Sequence, residues 1–181
     1  MEKLKAKQLR DSSPSKRQLA KIKRNPIYLV LDEVLDTYNI GSLFRLADAV
    51  SVKKVYLCGK MEYPPSSRIH KAAVGTENWV PWEKRNSAYE VVKELKKNNV
   101  QIISVEQHKK SILYSNLTEY IKFPCAIVVG NETFGVKEEV LKESDLIVEI
   151  PMLGINHSFN VWGSAAVVIY KIIEVLINKK N

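Results

Sequence analysis

The sequence predicts an α/β fold, a mostly parallel sheet covered by helices on both faces. Three observations carry that expectation. Runs of strand length such as 27–31, 125–129 and 146–148 are apolar at consecutive positions, as strands buried on both faces are. Between them lie stretches whose apolar residues recur at helical spacing, so strands and helices alternate. Glycine or proline closes several runs, at Gly59, Gly130 and Pro151, which opens backbone groups to a crevice beyond the strand ends.

Leu4, Leu9, Leu19 and Ile22 leave a sparse apolar stripe, and Asp11-Ser12-Ser13-Pro14 is a helix-start signal, so one or two short basic helices are expected over about 14–24. Asn25-Pro26 marks a turn, dividing a basic arm (1–25) from one folded domain (26–181). A strand at 27–31 leads through a polar loop, 32–38, to an amphipathic helix carrying Leu43, Phe44, Leu46, Ala47 and Val50. A second strand at 55–57 closes at Gly59; a loop with Pro64-Pro65 and a short helix over 68–74 follow. Residues 86–98 read as a surface helix, 100–105 as a strand, 115–120 as a short turn or helix and 125–129 as a strand. A short helix over 136–142, a last strand at 146–150 and a long helix from about 158 to 178 complete the pattern.

At 181 residues and 45% apolar content, the chain suits one soluble core. Its net charge of +8 is concentrated. Residues 1–25 hold nine lysines and arginines against Glu2 and Asp11, and the remainder is close to neutral. Such an arm is a handle for a polyanion, nucleic acid before membrane because it lacks a bulky apolar face, or else a solvated tail. No apolar run approaches the roughly eighteen residues of a membrane span, and the charged N-terminus has no apolar core of a secretory signal. Cys58 and Cys125 have no Cys or His at metal-ligand spacing, and His70, His108 and His157 are scattered. Reduced buried thiols, no metal and a cytoplasmic location are the expectation.

The phosphate-binding patterns GxGxxG and GxxxxGK[ST] are absent, as is the GxSxG nucleophile elbow. Three other segments stand out. Asn39-Ile40-Gly41-Ser42-Leu43-Phe44-Arg45 places Asn39 where it can cap a helix and sets Arg45 in an apolar element, able to grip a phosphate or carboxylate or simply to edge the helix. Gly130-Asn131-Glu132-Thr133-Phe134-Gly135 puts a carboxylate in a tight loop at a strand end, capping the next helix, orienting an arginine or facing solvent. Ile150-Pro151-Met152-Leu153-Gly154 runs on to Ser158-Phe159-Asn160. There Leu153 and Gly154 can wrap an apolar or aromatic ligand face, Ser158 or His157 is placed to cap the last helix, and Asn160 falls in its first turn.

Together the three resemble, in order and spacing, the motifs of the SpoU (TrmH-like) RNA 2′-O-ribose methyltransferases of the SPOUT class. That family pattern, N-x-G-x-x-x-R, then G-N/x-E-x-x-G, then I-P-M-x-G-x-x-x-S-L-N-V, stands here as NIGSLFR, GNETFG and IPMLGINHSFNV. The likeness covers about residues 27–177, and HKAAVGTENWVPW at 70–82 also looks like the family's intervening stretch. Phe159 replaces the usual Leu and Trp162 the usual small residue.

The resemblance implies an α/β sheet with a deep C-terminal trefoil knot formed by the loops around Gly130 and Leu153. It implies S-adenosyl-L-methionine bound in that knot near Gly130, Ile150, Leu153 and Phe159. It also implies a homodimer in which Arg45 reaches the opposite subunit's cofactor and activates a ribose 2′-hydroxyl of tRNA or rRNA. Asn39 and Glu132 would orient Arg45, and Ser158 and Asn160 would shape the site. A non-catalytic RNA-binding protein of the same fold is the alternative, opposed by the intact Arg45, Glu132 and Asn160. An NTPase is disfavoured by the missing phosphate loops.

Overall fold

A seven-stranded sheet forms the middle layer of the computed structural model, which describes residues 14–178. The expected features at Leu4, Leu9 and Asp11-Ser12-Ser13 lie outside those residues. Helix α1 (Lys16–Ala20) starts at Ser15, whose hydroxyl accepts from the Gln18 N–H while the Gln18 side chain accepts from the Ser15 N–H. This reciprocal cap closes a helix of little more than one turn.

The domain then runs β1 (Asn25–Asp32), α2 (Thr37–Ala49), β2 (Val52–Cys58), α3 (Ser67–Ala73), a 3₁₀ turn (Thr76–Asn78), β3 (Trp82–Arg85), α4 (Ala88–Lys97) and β4 (Gln101–Val105). It continues with β5 (Ile112–Leu113), a 3₁₀ segment (Tyr114–Glu119), β6 (Cys125–Val129), α5 (Glu138–Glu143), β7 (Leu146–Glu149) and α6 (Val161–Asn178). The strand order is β3-β2-β1-β6-β4-β7-β5, and neighbouring strands pair in parallel.

Alternation along β1 explains why both faces are covered. Ile27, Leu29 and Leu31 join a core with Leu43 and Phe44 of α2 and Val168 and Ile169 of α6. Val30, pointing the other way, joins Val92 and Leu95 of α4 and Val140 of α5. Cys58 and Cys125 are both buried, and burial pushes each thiol up to about 12.

Several expectations need correction. Asn25-Pro26 is the start of β1, not a turn: the Asn25 N–H donates to Ser51 O at 2.8 Å and its side-chain amide to Val50 O at 2.8 Å. Proline is tolerated at a strand's first positions, where a missing donor matters least. The arm is also tied down just before it, because the Arg24 guanidinium donates to Val52 O and Trp79 O. Strands β3 and β5 have no counterpart in the sequence pattern, since the first is highly charged and the second has only two residues. Finally, α6 is long and apolar enough by length and composition to cross a membrane, although Lys171 and Glu174 interrupt it. It buries Ala165, Val168, Ile169 and Ile172 and leaves Trp162, Tyr170 and Ile177 exposed.

Candidate active site

A cavity of about 360 Å³ opens at the carboxyl ends of β4, β6 and β7, lined by Glu106, Gln107, Glu132, Ile150, Met152, Ser158, Phe159 and Asn160 among others. The strand ends place the loops there, and hydrogen bonds between loops hold them. Glu132 is the hub. Its Oε2 accepts from the Leu35 N–H at 2.9 Å, and its Oε1 from the Asp36 N–H at 3.0 Å and the Asn39 side-chain amide at 2.9 Å. Asn39 in turn accepts from the Asn160 side-chain amide at 3.1 Å, and Asn160 Oδ1 accepts from the Trp162 N–H at 3.0 Å at the start of α6. Side chains 93 and 121 residues apart in sequence thus join into one chain of hydrogen bonds.

That network fixes the charge of its centre. Burial alone would raise the Glu132 carboxyl, but the Asn39 amide and the Leu35 and Asp36 N–H groups outweigh it, so the group lies below the ordinary glutamate range. Glu132 is an ionised acceptor with its oxygens engaged. It orders the loop that leads into α2 rather than shuttling a proton.

The loop after β6 is packed to the limit. A Cβ on Gly130 would lie 2.1 Å from the Gly135 carbonyl carbon, and Gly135 has φ of 68° with Glu106 against its α-carbon. Glu106 Oε2 accepts from the Val136 N–H at 2.9 Å, and Gln107 donates to His157 O, so the loops after β4, β6 and β7 are interlocked. Behind them Asp32 Oδ2 accepts from the Lys137 N–H at 3.0 Å. Burial there outweighs the lysine and raises the Asp32 carboxyl.

Of the residues singled out in the sequence, Glu132, Ile150, Ser158, Phe159 and Asn160 line the cavity, and Asn39 braces it. Other expectations are corrected. Asp36, not Asn39, caps α2 by accepting from the Tyr38 N–H at 2.8 Å, which frees Asn39 for Glu132. Asn160, not Ser158 or His157, caps α6. Gly130 is buried between Val129 and Asn131, and Leu153 is 95% exposed next to Met152; those neighbours line the cavity, so the backbone near both expected cofactor contacts borders it. Asn39 and Glu132 make no direct hydrogen bond to Arg45 among the described residues; Glu132 bonds instead to the entry of α2, the helix that carries Arg45. Arg45 is exposed, borders a separate groove, and its guanidinium bonds to no other described residue.

Sequence reasoning missed Glu106 and Gln107 and gave Met152, although inside a singled-out segment, no role. The position of Glu106 at the carboxyl end of a central strand was the available signal. Phe159 also has a local reason: its ring lies 3.1 Å from where a Cβ on Gly163 would be, so the larger side chain rests on a glycine one turn into α6.

Comparison with known proteins agrees with this geometry. The SpoU rRNA methylase family matches residues 26–170. The 23S rRNA (guanosine-2′-O-)-methyltransferase RlmB of Neisseria meningitidis serogroup B is 31% identical over 83% of this chain and 59% of its own length. The chain therefore spans about three fifths of that relative. Among solved structures, the TrmH/SpoU tRNA modifying enzyme of A. aeolicus superposes with a TM-score of 0.78 at 26% identity, covering 87% of this chain and 79% of that one. The AdoMet-bound rRNA methyltransferase of Sinorhizobium meliloti gives 0.77 at 25% identity, covering 87% and 60%. With the family matched from the first strand into the last helix, and all three motifs gathered at one cavity or on its flank, the chain belongs to the SpoU rRNA methylase family.

Proposed function

We propose that the protein is an S-adenosyl-L-methionine-dependent enzyme that methylates the ribose 2′-hydroxyl of a tRNA or rRNA nucleotide, working as a cytoplasmic homodimer. The observation that carries this reading is the hydrogen-bond chain from Glu132 through Asn39 to Asn160, which joins three distant motifs at one cavity. The cavity suits the donor: Ile150, Met152 and Phe159 offer apolar and aromatic surface, while Glu106, Glu132 and Glu149 give the wall a negative potential that favours a sulfonium. No phosphate cradle is required of it. The Neisseria and Sinorhizobium relatives, by their names, methylate rRNA, and the latter was solved with AdoMet.

S-adenosyl-L-methionine supplies an electrophilic methyl group on sulfur. The ribose oxygen forms a bond to that carbon as the carbon–sulfur bond breaks, and the hydroxyl proton departs to solvent or an RNA phosphate. Alignment is the main requirement. Arg45 positions the hydroxyl and an adjoining phosphate bidentately, since a guanidinium is a poor base. Ser158, at the cavity wall, and Asn160, at the α6 cap, fix the floor beneath the nucleotide.

Two finer features belong to the same reading. Arg45 lies outside its own chain's cavity, which favours its service to a second copy. The exposed Trp162, Tyr170 and Ile177 of α6, with Leu153 and Ile155 each 95% exposed, are apolar surface that a second copy would cover. The loops over 129–136 and 150–160 are read as the crossing of a deep trefoil knot, supported by the close packing of Gly130 on Gly135 and Val136. The basic arm is read as an extra RNA contact.

A tritiated methyl-transfer assay on bulk tRNA and rRNA tests the proposal. The full chain should label ribose, and Arg45→Ala should label it at least about a hundredfold more slowly, an effect on the order of one missing transition-state interaction. S-adenosylhomocysteine should raise the Tm of both proteins. A wild-type chain that binds RNA yet incorporates no methyl would instead be the non-catalytic RNA-binding protein.

A further inference from the structure

The groove beside Arg45 is not part of the cavity described above. It has a volume of about 460 Å³ and lies between the 14–22 segment and the face formed by α2, the end of α3 and the following turn. Leu19 and Ile22 form one wall, Ala49 and Trp79 the other, and Arg45 and Asp48 stand at its border. Three features set this groove apart from an ordinary surface crease.

Its apolar walls are held rigidly. The Trp79 indole N–H donates to Asp48 Oδ1 at 2.7 Å, and Trp79 O accepts from Arg24 at 3.0 Å, so the ring is tied to α2 and the arm to Trp79. Backbone strain is stored at its edge: Val74, a β-branched residue, lines the groove with φ of 55°, a conformation that persists only when the surroundings impose it and that gathers at functional sites. The charge around it is mostly positive, with Asp48 the carboxylate in its lining. Lys16, Arg17, Lys21 and Lys23 are exposed on the arm that forms the wall, and Arg45 adds a cation with no partner among the described residues.

We infer that this groove seats the base of the RNA nucleotide whose ribose Arg45 engages. A nucleobase is flat and apolar on its faces, as the walls require, and it hangs from a polyanionic backbone, as the surrounding cations require. The base attaches to the ribose carbon next to the one bearing the 2′-hydroxyl. A ribose held at Arg45 therefore places its base within immediate reach of Leu19, Ile22 and Trp79. Asp48, acceptor-only, favours a base that presents N–H donors on its pairing edge. The nucleotide then bridges two subunits, base in one chain's groove and hydroxyl toward the cavity of the other. The N-terminal helix is thereby a wall of the substrate site and not merely a charged tether.

The inference rests on the proposed RNA methyl transfer, and the test separates the two. Ile22→Asn and Leu19→Asn keep the net charge while making the wall polar, and Ile22→Ala only shortens the side chain. Each full-length variant is assayed on bulk RNA for KM and, independently of turnover, for RNA affinity by filter binding. Both Asn variants should weaken each quantity about tenfold, the order expected when an apolar Leu or Ile contact with a base is lost, and Ile22→Ala about threefold. S-adenosylhomocysteine affinity and Tm should stay at wild-type values. The deficit should persist from about 50 to 200 mM salt, whereas that of the control Lys21→Gln should shrink, because only the charge interaction is screened. RNA affinity of both Asn variants within about twofold of wild type, or a deficit that fades with salt like the control's, overturns the seat. A wild-type chain that transfers no methyl overturns the enzyme reading alone, since filter binding still reports on the groove.

Discussion

Glu132 holds three donors on two oxygens, and a glutamine cannot do the same: its amide nitrogen would face the N–H of Leu35 or the amide of Asn39. Glu132→Gln is therefore expected to destabilise the fold by about 1 kcal/mol at neutral pH and to loosen the entry to α2. The pH dependence follows from the direction of the shift. The folded carboxyl lies below its ordinary value, so its contribution is fully present above the ordinary glutamate range and is lost as pH falls through the lowered folded value. Thermal melts of the two proteins should thus differ at pH 7 and converge in acid. A constant gap across that range would mean that ionisation is irrelevant here. The thiols make a second point at the same scale. Cys58 and Cys125, pushed up to about 12 by burial, should resist a thiol reagent at pH 8 until the protein unfolds; rapid labelling of the native chain would contradict their placement.

Helix α2 is where a sequence motif and its physical reason part company. Gly41 reads as part of a signature, yet its role is close packing. A Cβ there would lie 2.6 Å from Ala72 Cβ and 2.6 Å from Ile69 O of α3. Gly41→Ala should cost about 1–3 kcal/mol through this overlap, lowering Tm, and would separate α2 from α3 on the side that carries Arg45. An unchanged Tm would show that the helices can part freely. Elements with their own core were legible: the strand expected at 125–129 is β6 residue for residue, because all five side chains are buried. Elements whose limits depend on distant partners were not. Asn39 resembles a cap, but Asp36 took that place because Glu132, 93 residues on, claimed Asn39. Strand β3, WEKR, exists through pairing with β2 at the sheet edge, and no periodicity within four charged and aromatic residues announces it. Likewise Glu106 entered the site only because β4 lies between β6 and β7, a neighbourhood that local patterns do not contain.

At the scale of the whole molecule, charge and assembly are the open variables. Deleting residues 1–13 removes Lys3, Lys5, Lys7 and Arg10 while leaving α1 and the anchoring Arg24 in place. RNA affinity should then fall less steeply with salt, by about 0.7–0.9 in log–log slope for each phosphate no longer neutralised. An unchanged slope would make those cations bystanders. Assembly admits a sharper test, because Arg45 and the cavity of one chain are separate places. If each reaction centre takes Arg45 from one subunit and its cavity from the other, two different defects should complement. Arg45→Ala leaves the cavity intact. Phe159→Lys puts a cation into the pocket proposed for a sulfonium but leaves Arg45 untouched, and the exposure of Phe159 lets the fold accept it. Each variant alone should be inactive. Unfolded together in equal amounts and refolded, half the dimers pair one of each, and each such dimer holds one complete centre, so activity should return to about a quarter of wild type under two-fold symmetry. No recovery from that mixture, with both variants folded and dimeric, would confine the chemistry to a single chain and require Arg45 to swing into its own cavity.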